Sequence, residues 1–167
     1  MNQDIIDRII AQWESELPGV DASCMGIVGR TLRLAGYLER RADEALDEFG
    51  IAIWAFDVLG ALRRNGKPFS MTPTELMKSV MLSSGAMTNR LDRLETNGLI
   101  QRIPDTRDRR SLQVRLTAKG RKIVDAAAPV RFDEARNALG SLSRREQDIL
   151  ASLLRKVLQS VEGNPKS

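Results

Sequence analysis

The stretch from Thr72 to Leu116 constrains the fold most, because it punctuates itself at nearly every turn. Thr72-Pro73-Thr74-Glu75 is a helix start: the hydroxyl serves as N-cap, proline suits the first helical position, and Glu75 closes a capping box. A short helix is predicted over 73–80. A break at Ser83-Ser84-Gly85 leads to a second helix over 84–97, stopped by Asn97-Gly98, where glycine suits the left-handed cap. Then come Leu99-Ile100-Gln101-Arg102-Ile103, a turn over 104–110, and Leu112-Gln113-Val114-Arg115-Leu116. The last run alternates strictly, as a half-buried strand does. Two short helices on a tight turn, followed by a hairpin with an arginine-rich tip, form a helix-turn-helix with a wing.

The flanks are helical. Ile5, Ile6, Ile9, Ile10 and Trp13 predict a helix over 3–16, closed by Pro18 and Gly19. Over 21–48, Val28, Leu32, Ala35, Leu38, Ala42 and Ala45 step by fours and threes, a seam that fits a partner helix. Residues 51–62 are apolar all round, hence a buried helix, and Asp57 is their only charge. Asn65-Gly66 and Pro68 end it. Thr117 caps a long helix to about 139, and Ser143-Arg144-Arg145-Glu146 opens a last one to about 161. The fold class is therefore mainly α with a small β-hairpin, and the tail 163–167 is expected to be disordered.

Composition narrows the chemistry. The chain has one cysteine, Cys24, and no histidine, which excludes an internal disulfide, a Cys/His zinc site and histidine-based acid–base catalysis. The ionisable residues show no nucleophile–base pattern, so neither an enzyme nor a cofactor is expected. The acidic N-terminus does not resemble a signal peptide, and no apolar run is long enough to span a membrane; a cytoplasmic location is the default. Charge is unevenly spread. Residues 84–122 hold ten Lys/Arg and four Asp/Glu, net +6, against +4 for the whole chain, which leaves the rest at −2. A basic third on a mildly acidic body is the electrostatic footprint of a nucleic-acid binder.

At about 100° per residue, Met87, Leu91 and Leu94 define the buried side of the second helix, with Asn89 about 165° and Arg93 about 125° away from it. Thr88 and Asp92 also face out. Arginine can fork to guanine, asparagine to adenine, and threonine can touch a thymine methyl, so this face suits the major groove. Ser83 and Ser84 stand where backbone amides and hydroxyls can hold a phosphate. The tip reads Asp105-Thr106-Arg107-Asp108-Arg109-Arg110. Asp105 and Asp108 can stiffen it by pairing with Arg107 and Arg110, leaving Arg109 for the negative potential of a narrow minor groove. Arg90 lies about 65° from the buried centre, so it flanks the interior and can partner Asp57, a carboxylate too costly to bury alone. Arg102 is a second possible partner.

The run Ser83 to Ile100, the segment Asp-Thr-Arg-Asp-Arg-Arg-Ser, and Val114-Arg115-Leu116-Thr117-Ala118-Lys119-Gly120 together resemble the MarR family of bacterial regulators, over roughly 24–160. The resemblance implies a homodimer joined through its N- and C-terminal helices (1–48 and 118–162), a winged DNA-binding region over 51–117, and a palindromic double-stranded operator read by two recognition helices about one turn apart. Trp13, Asp57, Arg90 and Arg102 further resemble the ligand set of the urate-responsive HucR and PecS type. That resemblance implies a planar anion, such as urate or a related purine or phenolic compound, that stacks on Trp13, pairs with Arg90, repels Asp57 and weakens DNA binding. The alternative at this site is a structural Asp57–Arg90 ion pair with Trp13 as a packing anchor. Some relatives sense peroxide through an N-terminal cysteine. A sensing cysteine needs a stabilised thiolate and solvent access, and Asp21 opposes the former, so Cys24 reads as a small core residue. A DNA-architectural protein without a ligand is the remaining alternative.

Overall fold

The computed structural model describes residues 3–80, 84–104 and 112–163, with the side chains of 84–86 left aside. Helix α1 (Ile5–Glu16) starts on a capping box: Asp4 accepts from the amides of Ile6 and Asp7, and Asp7 accepts in return from the amide of Asp4. It buries Ile6 against helix α2 (Met25–Leu46), where Arg30 reaches back to Asp4 and Asp7 at 2.8 and 2.6 Å. A 3-10 turn over Asp47–Phe49 and Gly50, at φ 65°, lead to α3 (Ile53–Arg64). This helix buries Ala55, Phe56 and the whole run Val58–Leu62, as expected of an apolar cylinder.

Helix α4 (Pro73–Ser79) carries the Thr72/Glu75 capping box, and α5 (Ser84–Thr96) ends before Gly98 at φ 68°. Strands β2 (Ile100–Pro104) and β3 (Leu112–Leu116) pair antiparallel from Ile100↔Leu116 to Pro104↔Leu112. The expected hairpin is in fact a three-stranded sheet, because Ser70–Met71 forms β1 on the far edge of β3. Two residues are too few to show a period, which is why that strand has no sequence signature. Helix α6 (Ala118–Ala138) starts at Thr117, whose hydroxyl accepts from Gly120 N–H, and α7 (Arg144–Glu162) starts on the Ser143/Glu146 capping box. Residues 164–167, most of the expected tail, lie outside the described residues.

One core joins these elements. Leu46, Val58, Leu59, Leu62, Leu76, Leu94, Ile100 and Val114 are almost fully buried, and Val124 and Ala127 bring α6 into the same cluster. Helices α4 and α5 and the sheet are thus set on a base formed by α3 and α6. Helix α7 buries nothing, and its apolar side lies open together with that of α2.

Candidate nucleic-acid interface

Helix α5 is held on one side only. Met87, Leu91 and Leu94 sit in the core, whereas Thr88, Asn89, Asp92 and Arg93 are exposed. The amphipathic split follows from the 3.6-residue period, and it leaves a polar face for a partner. The backbone of Ser84 begins the helix; Ser83 and the tip residues Arg107, Arg109 and Arg110, with Asp105 and Asp108, lie outside the described residues.

Arg102 departs from expectation. It does not turn toward Asp57 but is gripped by the recognition helix: Nη2 donates to Asp92 Oδ1 at 2.6 Å, Nη1 to Glu95 Oε2 at 2.5 Å, and its amide to Glu95 Oε1 at 2.7 Å. The cause is geometric. Strand β2 leaves α5 through the Gly98 turn and packs beside that helix, so two of its carboxylates lie within hydrogen-bond reach of Arg102. Asp92 therefore has a second role besides facing outward, since it ties β2 to α5.

Asp57 is half-buried on α3. Burial is the main force holding its carboxyl above the usual carboxylate range, and the charges of Arg131, Arg64 and Arg90, in that order, pull it back down. Among the described residues no ion pair joins Asp57 to Arg90. The pairing expected from sequence gives way to a field dominated by α6, because Arg90 lies instead over the indole of Trp54 at 5.5 Å. A cavity of about 270 Å³ between α3 and α6 gathers Asp57, Arg64, Arg131, Phe56 and Phe132. Trp13 is about half exposed on α1 beside Gln12 and Glu16, and does not line that cavity. Cys24 is exposed at the start of α2, which corrects its reading as a core residue.

The raised pKa of Asp57 carries a sign. In the folded chain the carboxyl binds its proton more tightly than in the unfolded chain, so its contribution to stability is full below the ordinary value of 3.8 and is lost as pH rises through the raised value. Asp57→Asn is therefore expected to raise Tm at pH 7, with the advantage disappearing as pH falls below that ordinary value. Thermal melts of both proteins across this range check it, and an equal offset at every pH would refute the cause.

Sequence reasoning missed Arg64, Arg131 and Trp54. Arg64 closes α3 and Arg131 lies inside α6, each with nothing in its local sequence to mark it off from solvated charge, and Trp54 was absorbed into the apolar run. No helix among the described residues is long and apolar enough to cross a membrane.

A family model described as MarR family matches residues 49–111. The chain is 30% identical over 159 residues to the HTH-type transcriptional regulator PecS of Dickeya dadantii, covering 95% of this chain and 96% of that protein. It is 31% identical to the multiple antibiotic resistance protein MarR of Escherichia coli K12, covering 75% of this chain and 89% of that one. The crystal structure of a cysteine-to-serine mutant of E. coli MarR complexed with operator DNA superposes with a TM-score of 0.72 at 27% identity, covering 93% of this chain and 99% of that one.

Proposed function

The chain belongs to the MarR family of transcriptional regulators, and we propose that it acts as a homodimeric repressor that binds a palindromic operator and lets go when a small anion binds. The observation that carries the reading is the one-sided burial of α5, which leaves Thr88, Asn89 and Arg93 exposed behind a capped α4. Asn89 takes adenine, Arg93 guanine, and Thr88 a thymine methyl. Ser83, Ser84 and the tip residues Arg107, Arg109 and Arg110 add phosphate and minor-groove contacts. A second copy, docked through α2 and α7, places the second reading helix about one helical turn away. The superposition on a relative bound to operator DNA supports this arrangement.

The effector reading rests on the charge around Asp57. A planar anion such as urate, or a related purine or phenolic compound, would replace that carboxylate as the counter-charge of Arg90 and its neighbours. Any shift of Arg90 moves α5, so ligand and DNA compete through one helix, with a coupling typically of about 1–3 kcal/mol. Of the resembling set, Asp57 and Arg90 share one field within the chain, while Trp13 and Arg102 stand apart from it.

Selection of duplexes from a random library tests the DNA reading. The expected product is a palindrome with half-site centres about 10 base pairs apart. Asn89→Ala should cost about tenfold in operator affinity and relax the base preference at one position in each half-site, within the range of about 1–3 kcal/mol for a bidentate base contact. Enrichment without a motif would favour an architectural protein. Unchanged operator affinity at millimolar urate rejects urate as effector, and peroxide treatment that leaves affinity intact dismisses sensing through the exposed Cys24.

A further inference from the structure

Trp54 stands in the first turn of α3, half-buried at the margin of the core. Two guanidinium groups lie on its indole: that of Arg90 at 5.5 Å from the ring centroid and that of Arg93 at 5.2 Å. Three positions apart on α5, these arginines project from adjacent turns of one helix. Their surroundings differ. Arg90 is half-buried, with Nη1 shut away from solvent and without a hydrogen-bond acceptor, whereas Arg93 is exposed and forms no ion pair among the described residues.

An aromatic face differs from a carboxylate in one useful respect. Its quadrupole attracts and orients a cation without cancelling the charge. A carboxylate beside Arg93 would neutralise the side chain that guanine must attract; an indole aims it and leaves the charge intact. The same ring offers Arg90 an attraction on the side of a nitrogen that has no acceptor. Asp57, one turn along α3 from Trp54, adds its charge to the field around Arg90.

We infer that Trp54 is a positioning residue of the DNA-facing surface, its indole anchoring Arg90 beneath the recognition helix and holding Arg93 in the orientation presented to DNA. The inference rests on the reading that Arg93 faces DNA.

The test uses the full-length protein, with the selected operator and a random duplex of equal length, at one salt concentration. Trp54→Leu is expected to weaken operator binding about fivefold (about 1 kcal/mol) while random-duplex affinity changes less than twofold. Trp54→Phe, which keeps an aromatic face, should restore most of the loss. In the Arg93→Ala background, Trp54→Leu should cost less than it does in the unmodified chain, since one of the two contacts it removes is already gone. Equal losses on both duplexes, or additive losses in the double variant, overturn the inference. If Arg93→Ala alone leaves operator affinity unchanged, the DNA-facing reading of Arg93 fails and the role of Trp54 falls with it. If Arg93→Ala weakens binding and a folded Trp54→Leu does not, only the inference on Trp54 fails. The chain has two tryptophans, so a Trp13→Phe background isolates the emission of Trp54 and gives a readout that does not depend on the Leu variant folding. Arg93→Ala should shift that emission, and an unshifted spectrum overturns the contact.

Discussion

Gly120→Ala is expected to lower Tm by about 5–10 °C, the equivalent of about 2–3 kcal/mol for a chain of this size. Gly120 lies in the first turn of α6, directly under the turn that joins the recognition helix to the wing. A Cβ there would fall on the carbonyl oxygen of Leu99 and come within 2.9 Å of Leu116 Cδ1. Neither side can yield easily. The Thr117 hydroxyl bonds the Gly98 carbonyl at 2.8 Å, Lys119 Nζ donates to the Asn97 carbonyl at 2.9 Å, and Thr117 N–H donates to Leu99 O at 3.1 Å. Overpacking costs typically 1–3 kcal/mol, occasionally more, and backbone in the way puts this site at or above the upper end of about 3. Alanine recovers up to about 1 kcal/mol through helix propensity, which offsets only part of it. A melt that shows an unchanged or higher Tm would mean that the close approach relaxes without cost. Operator binding should weaken as well, because the same contact sets the angle between α5 and the wing.

Leu153→Glu should turn the proposed dimer into a monomer and reduce operator affinity by a factor of about 100 or more, the scale lost when two linked half-sites become independent. In the single chain α7 buries nothing. Leu153 is 57% exposed, and Ile149, Leu154, Val157, Leu158 and Val161 lie open along the same helix. Across a groove from them stand Ile27 and Leu34 of α2. Soluble monomers rarely expose an apolar surface of that extent. A carboxylate at 153 would have to be desolvated inside the second copy, at a cost no neighbour compensates. Because so much of the leucine side chain is exposed in the isolated chain, helix content should be unaffected, which separates loss of assembly from loss of fold. Sedimentation of the variant reads the outcome directly, and a variant that still sediments as a dimer would refute this docking surface.

Much of the architecture was legible because its signals are local. Thr72 with Glu75 and Ser143 with Glu146 announced helix starts that the structure places at the same residues. The strict alternation of Leu112–Leu116 predicted a strand, and the apolar cylinder after residue 51 predicted a buried helix. The signal failed where an element was too short for a period, as in β1, or where a small residue gave no hint of its surroundings, as with Cys24. The basic third and the polar side of α5 were readable from charge count and helical angle alone.

The partners of the charged groups were not readable in this way. Helical angle turned Arg90 inward, but only packing decided that it meets the face of Trp54 and not Asp57. It was the packing of β2 beside α5 that delivered Arg102 to Asp92 and Glu95, and the packing of α6 on α3 that brought Arg131 to Asp57. Sequence by itself determined the longer elements, their order and the family, since caps, periods and turn residues act within a few positions of one another. Tertiary structure alone decided which charges meet, because a Coulomb or cation–π contact depends on distance in space, and residues 54 and 93, or 57 and 131, come together only once the core has closed.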